Sequence, residues 1–449
     1  MELKLKETYE RLNKKKIIIE TYKIKEYLNE AKNMTIKLIE NLLENNTGFE
    51  RDKKIGVGSE HNNISGGQGT NPALWELGHI AMFYDYHLLR YYDMRKYPII
   101  DNWEIYDSFI TNRETRFKFK KHSKEKLLNY YLKVINTSID NLKDLDVKSS
   151  YLYLLSILHN HMHIESFIFT SKLLKKKNVI HKNILNQELN YKMKLINIEG
   201  GYFLQGTKEG ENLIAFDNEM SQFKTYVNNF LISNIPVTQG IFLKFLLEGG
   251  YENDILWSKN GKKWKKEKKI NKPMYWEKIN DKWRILNFDK YEDIRLDLPM
   301  CHINWYEARA IAKWLGGRLP IESEWEYLST NKGKTKFPWG NEMDCTKCNI
   351  NYKKGLVSVE EYKEGNNNDG VQQLIGNIWE WCEDPFYPYD GFVIDSVYRE
   401  FSYPFFGFKK ILRGGCWAVP DILINSRYRN AQMPDMRMQF TGVRIAKNI

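Results

Sequence analysis

The sequence changes character near residue 195, and this change limits the folds available to the chain. Before it, apolar residues recur with helical spacing over long stretches. After it, short strand-like segments alternate with turns rich in Gly, Pro and Asn. At 449 residues the chain is also too long for one ordinary hydrophobic core. We therefore expect a helical domain in residues 1–180, a polar linker in residues 181–194 and an irregular α+β domain in residues 195–449.

Helical periodicity in the first half runs through residues 18–46, 72–93, 123–146 and 148–176. Modest connections between these stretches favour an antiparallel four-helix bundle. The connection before the second stretch is Gly-rich and ends at Asn71-Pro72, a pair typical of a helix start. Side chains that point inward from facing helices meet in the core of a bundle, which makes that core a natural place for a metal site.

Three histidines of the helical half have the spacing of a metal-ligand set. His159 and His163 are four residues apart, so on a helix they lie one above the other on one face. His79, on the second helical stretch, supplies a third imidazole, and three such ligands leave the other metal positions open for substrates. A lone His-x-x-x-His pair is more often part of a packed core. Glu165 could accept a hydrogen bond from His163 and orient its ring. The equal alternative is that Glu165 is simply a carboxylate on the helix surface.

Composition bears on the partners of the chain. The formal net charge is +11, and much of it lies in lysine runs at residues 175–177 and 262–269. Such runs suit nucleic acid or an acidic surface, but no nucleic-acid-binding motif accompanies them, and a solvated lysine-rich surface is the favoured interpretation. We expect small-molecule substrates, no nucleic acid, and a monomer or a weak dimer.

Cysteine usage and apolar content bear on the compartment. Five cysteines in this length argue against a disulfide scaffold, and Cys345 and Cys348 form a C-x-x-C with no second pair for tetrahedral zinc. Residues 1–16 are charged and lack the apolar core of a signal peptide. The sequence also has no apolar run long enough to span a bilayer. We therefore expect a cytoplasmic protein with no membrane segment.

The second half contains six motifs, most of them rich in Gly, Trp, Arg or Glu. They are Pro236–Gln239, Asn304–Ala308, Gly317–Glu326, Gly376–Trp381, Leu412–Trp417 and Gly442–Arg444. Together they resemble the formylglycine-generating-enzyme or sulfatase-modifying-factor domain, an α+β fold of the C-type-lectin kind. We expect most of these residues to be structural. The formylglycine oxidases use two cysteines downstream of Arg-Gly-Gly, where this chain has Val419 and Asn425, so that chemistry is not expected.

The first half carries Asn71–His79 and His159-x-x-Met162-His163-x-Glu165. These stretches resemble the DinB-like bundle of the ergothioneine, ovothiol and selenoneine synthases, a family that joins such a bundle to a formylglycine-type domain. The resemblance implies a mononuclear non-haem Fe(II) bound by His79, His159 and His163, with O₂ as co-substrate. It also implies an active site between the two domains.

Further residues narrow the resemblance to the selenoneine synthase branch. The stretch Ile105–Ser108 and the two stretches that contain the histidines look most like that branch. Relatives that use thiols carry a catalytic Tyr three residues before the Tyr of Pro-Tyr-x-Gly-Phe. In this chain the motif is Pro388–Phe392, and the position is Phe386, with Tyr387 adjacent. The resemblance therefore makes Phe386 and Tyr387 the expected catalytic positions.

The resemblance assigns substrate-binding positions to Tyr389, Asn430, Gln432 and Arg437. Tyr389 and Asn430 are expected to hold the substrate that carries the imidazole. Ala431, Gln432 and Met436 depart from the residues usual in the family, so the identity of that substrate does not follow from the resemblance alone.

The function implied is an O₂-dependent formation of a C–S or C–Se bond. One substrate is hercynine or a related histidine betaine, the other is a thiol or a selenosugar, and the product is a sulfoxide or a selenoxide. The sequence leaves the nucleophile open among a selenosugar, cysteine and γ-glutamylcysteine. Two other functions stay open: an iron-dependent thiol oxygenase without coupling, and a non-catalytic ligand-binding protein.

Overall fold

A computed structural model describes residues 19–44, 70–90, 98–118, 122–143, 145–181, 189–208, 210–211 and 214–449. The chain divides into two compact units. Unit 1 comprises Met1–Val179, Thr207–Met220 and Gly391–Pro404, and unit 2 comprises Ile180–Gly206, Ser221–Asp390 and Phe405–Ile449. The N-terminal segment on which the signal-peptide prediction rests lies outside the described residues, as does nearly all of the Gly-rich connection before Asn71.

Two segments of the second half group with the helical unit, Thr207–Met220 and Gly391–Pro404. The division predicted from the sequence, with a linker in residues 181–194, treats each domain as continuous and does not foresee these segments. The boundaries of the family domains stay a prediction.

Unit 1 is built on four helices, α1 Thr21–Leu43, α2 Ala73–Phe83, α3 Lys124–Asp140 and α4 Val147–Leu173. Tyr84–Leu89 continues α2 as a π-helix. α1 packs on α4 and α2 packs on α3, and each pair also contacts the other. Four helical stretches were predicted here, and the described residues confirm all four as elements.

A buried polar network fixes the rotation of α4 in the bundle. The hydroxyl of Tyr131 on α3 donates a hydrogen bond to Oδ1 of Asn160 at 2.9 Å, and Nδ2 of Asn160 donates to Oγ1 of Thr35 on α1 at 2.8 Å. All three side chains are buried, where an unpaired polar group would be costly. Because Asn160 is the neighbour of His159, the network also determines the direction in which the α4 histidines point.

Unit 2 contains strands β1–β12, which are, in chain order, Leu195–Ile198, Gly201–Gln205, Phe223–Val227, Phe230–Ser233, Trp276–Ile279, Lys282–Asn287, Lys290–Asp293, Trp379–Pro385, Lys410–Arg413, Asn430–Gln432, Thr441–Gly442 and Ala446–Asn448. They form four sheets, with the orders β1-β4-β12, β2-β3, β5-β6-β7 and β10-β9-β8-β11. Every pairing is antiparallel except that of β11 with β8. Short strands in several small sheets agree with the predicted irregular α+β domain.

Four helices accompany the strands, α5 Gln239–Leu247, α6 Lys259–Glu267, α7 Trp305–Trp314 and α8 Glu322–Ser329. The sequence pattern predicts a helix over residues 305–315, and α7 confirms it. It begins with a capping box, in which Oδ1 of Asn304 accepts from the backbone N–H of Glu307 at 2.9 Å and Oε2 of Glu307 accepts from that of Asn304 at 3.0 Å. The two bonds satisfy helix N–H groups that have no partner inside the helix.

The charge of residues 254–295 predicts an elaborated surface loop, but the structure gives this insertion regular elements. It contains α6 and the three strands β5–β7. Trp264 and Trp276 of this region are buried, so the insertion packs apolar surface of its own. The many lysines around Trp264 conceal this pattern in the sequence.

Buried ion pairs link the motifs of unit 2. The guanidinium of Arg413 lies 2.6 Å from a carboxylate oxygen of Glu326, and that of Arg444 lies 2.8 Å from Glu380. Trp325 donates from Nε1 to Glu380 at 2.9 Å. These contacts support the structural role expected for most of the motif residues.

Candidate metal centre

Nitrogen atoms of three histidines converge inside unit 1. Nε2 of His159 lies 3.1 Å from Nε2 of His79 and 3.2 Å from Nε2 of His163, and ligand atoms of all three lie within 4.8 Å of one another. His79 comes from α2, whereas His159 and His163 are one turn apart on α4. Since metal–imidazole bonds are about 2.0–2.1 Å long, nitrogens that share one metal lie roughly 3 Å apart. The spacing fits one metal ion bound by the three predicted ligands.

Groups outside the cluster hold the opposite ring nitrogens. Nδ1 of His79 lies 2.7 Å from the carbonyl oxygen of Tyr106, and Nδ1 of His163 lies 2.5 Å from Oε1 of Glu76. A carbonyl accepts only from an N–H, so His79 carries its proton on Nδ1, and the carboxylate favours the same tautomer of His163. Both rings thus present a bare Nε2 lone pair to the centre of the cluster.

Burial keeps two of these rings uncharged. It lowers the pKa of His79 and the pKa of His159 well below their usual value, and the nearby His163 lowers both further. The Nε2 lone pairs of His79 and His163 both face Nε2 of His159, and among the described residues Nδ1 of His159 is buried without a hydrogen-bond partner. The donor set therefore fits a metal ion better than it fits a hydrogen-bonded core.

Aromatic packing makes the cluster rigid. The ring of Trp75 stacks on that of His79 with centroids 5.1 Å apart and planes 10° apart, and Phe83 stacks on His159 at 3.9 Å and 16°. The guanidinium of Arg116 lies 4.0 Å above the Trp75 ring. Restricted rings hold the ligand nitrogens in place before a metal binds, which reduces the ordering that binding requires.

Two supporting residues were not predicted from the sequence. Glu76 stands three residues before His79 on α2, so its position on the same helix face was a usable signal. The carboxylate that contacts Nδ1 of His163 belongs to Glu76. Glu76 therefore has the orienting role that the sequence analysis considered for Glu165. Tyr106 lies within the stretch Ile105–Ser108 noted above, but its contact with His79 had no such signal. It approaches closely because residue 78 is glycine, where an added Cβ would overlap the Tyr106 ring.

Removal of the Glu76 carboxylate is expected to weaken metal binding. Partners of metal ligands typically change affinity by about 10- to 100-fold, and the Glu76 side chain is buried against His163. We expect Glu76→Ala to raise the dissociation constant for Fe(II) by that factor, and Glu76→Gln, which keeps an acceptor without the charge, to fall between. Anaerobic competition with a chelator measures both. Glu114→Ala, an exposed position of the same unit, is the control, and equal affinity in all variants would contradict the role.

Unit 2 brings together some of the predicted substrate and catalytic residues. Phe386 and Tyr389 are buried, and Tyr387 is exposed over 54% of its surface. Arg429 connects them, because its Nη2 donates to the carbonyl oxygen of Tyr387 at 3.0 Å while its guanidinium lies 3.9 Å above the ring of Tyr389. Asn430 follows directly, at the start of β10. Their roles in binding and catalysis stay predictions.

The remaining predicted positions differ in their surroundings. Gln432 ends β10, an edge strand, and is partly exposed. The guanidinium of Arg437 donates to both carboxylate oxygens of Glu307, at 3.0 and 2.7 Å, and to the carbonyl oxygen of Lys272 at 2.6 Å. These contacts give Arg437 a structural partner that the sequence did not indicate.

Among the described helices, none combines the length and the apolar content that crossing a bilayer requires.

Residues 182–449 match the family model described as Sulfatase-modifying factor enzyme 1-like domain. Hercynine oxygenase of Mycobacterium tuberculosis is 30% identical over 393 residues, which cover 84% of this chain and 91% of that protein. Hercynine oxygenase of Mycolicibacterium thermoresistibile is 28% identical over 396 residues, which cover 84% of this chain and 88% of that protein. The solved structure of PvdO from Pseudomonas aeruginosa covers 57% of this chain and 94% of that chain at 19% identity, with a TM-score of 0.40, which is too low to support an inference.

The family predicted from the motifs is confirmed by these matches, and so is the formylglycine-type α+β domain in the second half. With the second half in a recognised domain and the similarity to hercynine oxygenases extending over most of the sequence, this chain belongs to the hercynine oxygenase family.

Proposed function

We propose that this protein is an iron(II)- and O₂-dependent oxidoreductase that joins hercynine, or a related histidine betaine, to a thiol or a selenol. The observation that carries the proposal is the convergence of three imidazoles, those of the buried His79 and His159 and the partly buried His163, in a member of the hercynine oxygenase family. We further propose that the four-helix bundle of unit 1 is of the DinB type.

The donor set suits iron. Three neutral nitrogen ligands of intermediate softness bind divalent transition metals, and geometry and availability rather than intrinsic affinity select among them. When bound, iron(II) would supply one-electron chemistry towards O₂ and open positions for the substrates. No carboxylate is among the three ligands, so the ligands would not neutralise the 2+ charge of the metal. The carboxylate of Glu76, whose Oε1 lies 2.5 Å from Nδ1 of His163, would offset part of that charge.

The residues around the cluster have separate tasks. The carbonyl oxygen of Tyr106 keeps the proton of His79 on Nδ1, and the carboxylate of Glu76 does the same for His163. Trp75 stacks on the ring of His79 and Phe83 on that of His159, which holds both ligand rings in place. The chain thus keeps the ring protons of His79 and His163 on Nδ1 and leaves their Nε2 atoms free to bind the metal.

The overall reaction balances without an external reductant. An imidazole C–H bond and an S–H or Se–H bond break, a C–S or C–Se bond forms, and one oxygen atom of O₂ ends on the chalcogen. The other oxygen atom leaves as water with the two hydrogens. The two substrates supply all four electrons that O₂ takes up, and holding both substrates at one centre makes the coupling intramolecular.

The family resemblance assigns substrate binding to Tyr389, Asn430, Gln432 and Arg437. It assigns the catalytic positions to Phe386 and Tyr387.

We propose a cytoplasmic location. All five cysteines are free thiols, which suits a reducing compartment.

Phe386 favours a selenium nucleophile over a thiol. It removes the phenol that thiol-using relatives have at this position, and a selenol is more acidic and more easily oxidised, so it needs less help with proton and electron delivery. Equal concentrations of a selenosugar and γ-glutamylcysteine, offered with hercynine, Fe(II) and O₂, should give mainly the selenium product, identified by its mass. Cysteine replaces γ-glutamylcysteine in a parallel reaction.

Other product patterns separate the alternatives. Exclusive sulfoxide formation would reject selenium and leave the iron-dependent coupling in place. Oxidised thiol without a coupled product would favour an uncoupled oxygenase. An iron-free protein that binds hercynine without turnover would support a ligand-binding protein.

A further inference from the structure

The segment Gly391–Pro404 comes from the second half of the sequence yet belongs to unit 1. Tyr151 on α4 donates a hydrogen bond from its hydroxyl to the carboxylate of Asp395. Asp217 accepts from the hydroxyl of Ser402 at 2.5 Å and from the backbone N–H of Asp395 at 3.1 Å. These bonds fix both ends of the segment and hold it against α4.

The segment places one phenol beside the histidine cluster. The ring of Tyr398 stands perpendicular to that of His159, with centroids 5.4 Å apart, and makes a similar edge contact with Phe83 at 5.4 Å. Phe401 stacks on its other side at 5.3 Å. Tyr398 is 8% exposed, so packing fixes the direction of its hydroxyl.

The acceptor of that hydroxyl is a sulfur atom. Tyr398 donates its O–H to Sδ of Met162 at 3.8 Å, and among the described residues the hydroxyl has no other partner. Met162 lies three residues after His159 and one before His163, on the helix face that carries both ligands. A thioether is a weak acceptor, so a buried O–H directed at one is available to a stronger acceptor.

We propose that Tyr398 positions the chalcogen of the second substrate. Its O–H, which rests on the Met162 thioether in the free enzyme, would move its hydrogen bond to the thiolate or selenolate when that anion binds at the histidine cluster. The inference rests on the proposed function and deepens it, because it names a residue that selects an anionic sulfur or selenium substrate.

The physical basis is the difference between two acceptors. The anion is charged and the thioether is not, and a hydrogen bond to a charged group contributes about 1.5–3 kcal/mol, equivalent to roughly a 10- to 100-fold change in affinity. The Tyr398 hydroxyl already donates to Sδ of Met162, so it can act as a donor to the anion. Hercynine has no anionic chalcogen and should not depend on this bond.

Thiolate binding to the cobalt(II)-loaded protein tests the proposal without turnover. Hydrosulfide and L-cysteine are titrated separately under anaerobic conditions, and the thiolate-to-cobalt charge-transfer band reports binding. Tyr398→Phe keeps the ring contacts and removes the O–H. It should bind both probes about 10- to 100-fold more weakly, while its affinities for cobalt and for hercynine stay within twofold. Tyr403→Phe, at an exposed position of the same segment, is the matched control and should match the wild type.

Equal thiolate affinity in Tyr398→Phe and the wild type would overturn the role of Tyr398 and leave the proposed function intact. If the wild type loads cobalt but binds neither probe, the proposed function fails, and the inference fails with it.

A second variant decides the matter if Tyr398→Phe does not load cobalt. Met162→Leu removes the competing thioether but keeps the apolar volume. The freed O–H should then bind hydrosulfide at least as tightly as in the wild type. Weaker binding of hydrosulfide by Met162→Leu would overturn the proposal.

Discussion

Replacement of His79 by alanine should abolish iron binding and, with it, oxygen-dependent turnover. The change removes one of three ligand nitrogens that lie within 4.8 Å of one another. Outer partners of metal ligands alone change affinity by about 10- to 100-fold, so loss of a ligand should weaken Fe(II) binding by at least that factor. The same result is expected for His159→Ala and His163→Ala. Iron per chain after anaerobic loading of the metal-free protein measures the effect.

The control for this prediction is His181→Ala, a histidine of unit 2 that lies outside the cluster. It should keep one iron per chain. Loading must start from metal-free protein, because nickel and zinc exceed Fe(II) in intrinsic affinity and occupy such sites during aerobic purification. Full iron occupancy and turnover in His79→Ala would show that the three-histidine assignment is wrong.

Replacement of Arg413 by methionine should strongly destabilise unit 2. The guanidinium is fully buried, lies 3.1 Å from Glu322 and 2.6 Å from Glu326, and donates to the carbonyl oxygen of Ser426 at 2.8 Å. Methionine fills much of the volume but leaves buried carboxylates without this cation. Removing one partner of a buried ion pair costs about 3–5 kcal/mol, and we expect a loss of that size in the free energy of unfolding.

Urea denaturation followed by tryptophan fluorescence measures this loss. Of the 13 tryptophans only Trp75 and Trp103 precede residue 195, so the signal reports mainly on unit 2. Arg309→Met is the matched control, because its pair with Glu383 is partly exposed and should change stability by less than about 1 kcal/mol. Equal stability of the two variants would contradict the structural role of Arg413.

Local spacing predicted what depends on helix geometry alone. His159 and His163 share a face of α4 because every α-helix places residues four apart on one side. The periodicity over residues 148–176 predicted a helix, and the structure has that helix at Val147–Leu173. Motifs of unit 2 predicted the formylglycine-type domain for the same kind of reason. Their glycines, tryptophans and arginines are demanded by particular turns and buried ion pairs, so the pattern is specific to the fold.

Local patterns failed where charge conceals burial or where packing alters a helix. The insertion at residues 254–295 has so many lysines that its helix and three strands were not foreseen. The second helical stretch was predicted as one α-helix, but Tyr84–Leu89 is π-helical. A π-helix has more residues per turn than an α-helix, so the side chains that follow it point in other directions. An apolar pattern with a period of 3.6 residues cannot indicate this change.

The sequence by itself determined the family, the two kinds of domain and the three candidate iron ligands. Only the tertiary structure decided which groups support them. Glu76 reaches His163 across two helices, and Tyr398 reaches Met162 although the two are 236 residues apart in the chain. Contacts of this kind follow from how separate elements pack. No sequence spacing encodes that packing, because the connecting chain can take many paths, and the burial of apolar surface selects one of them.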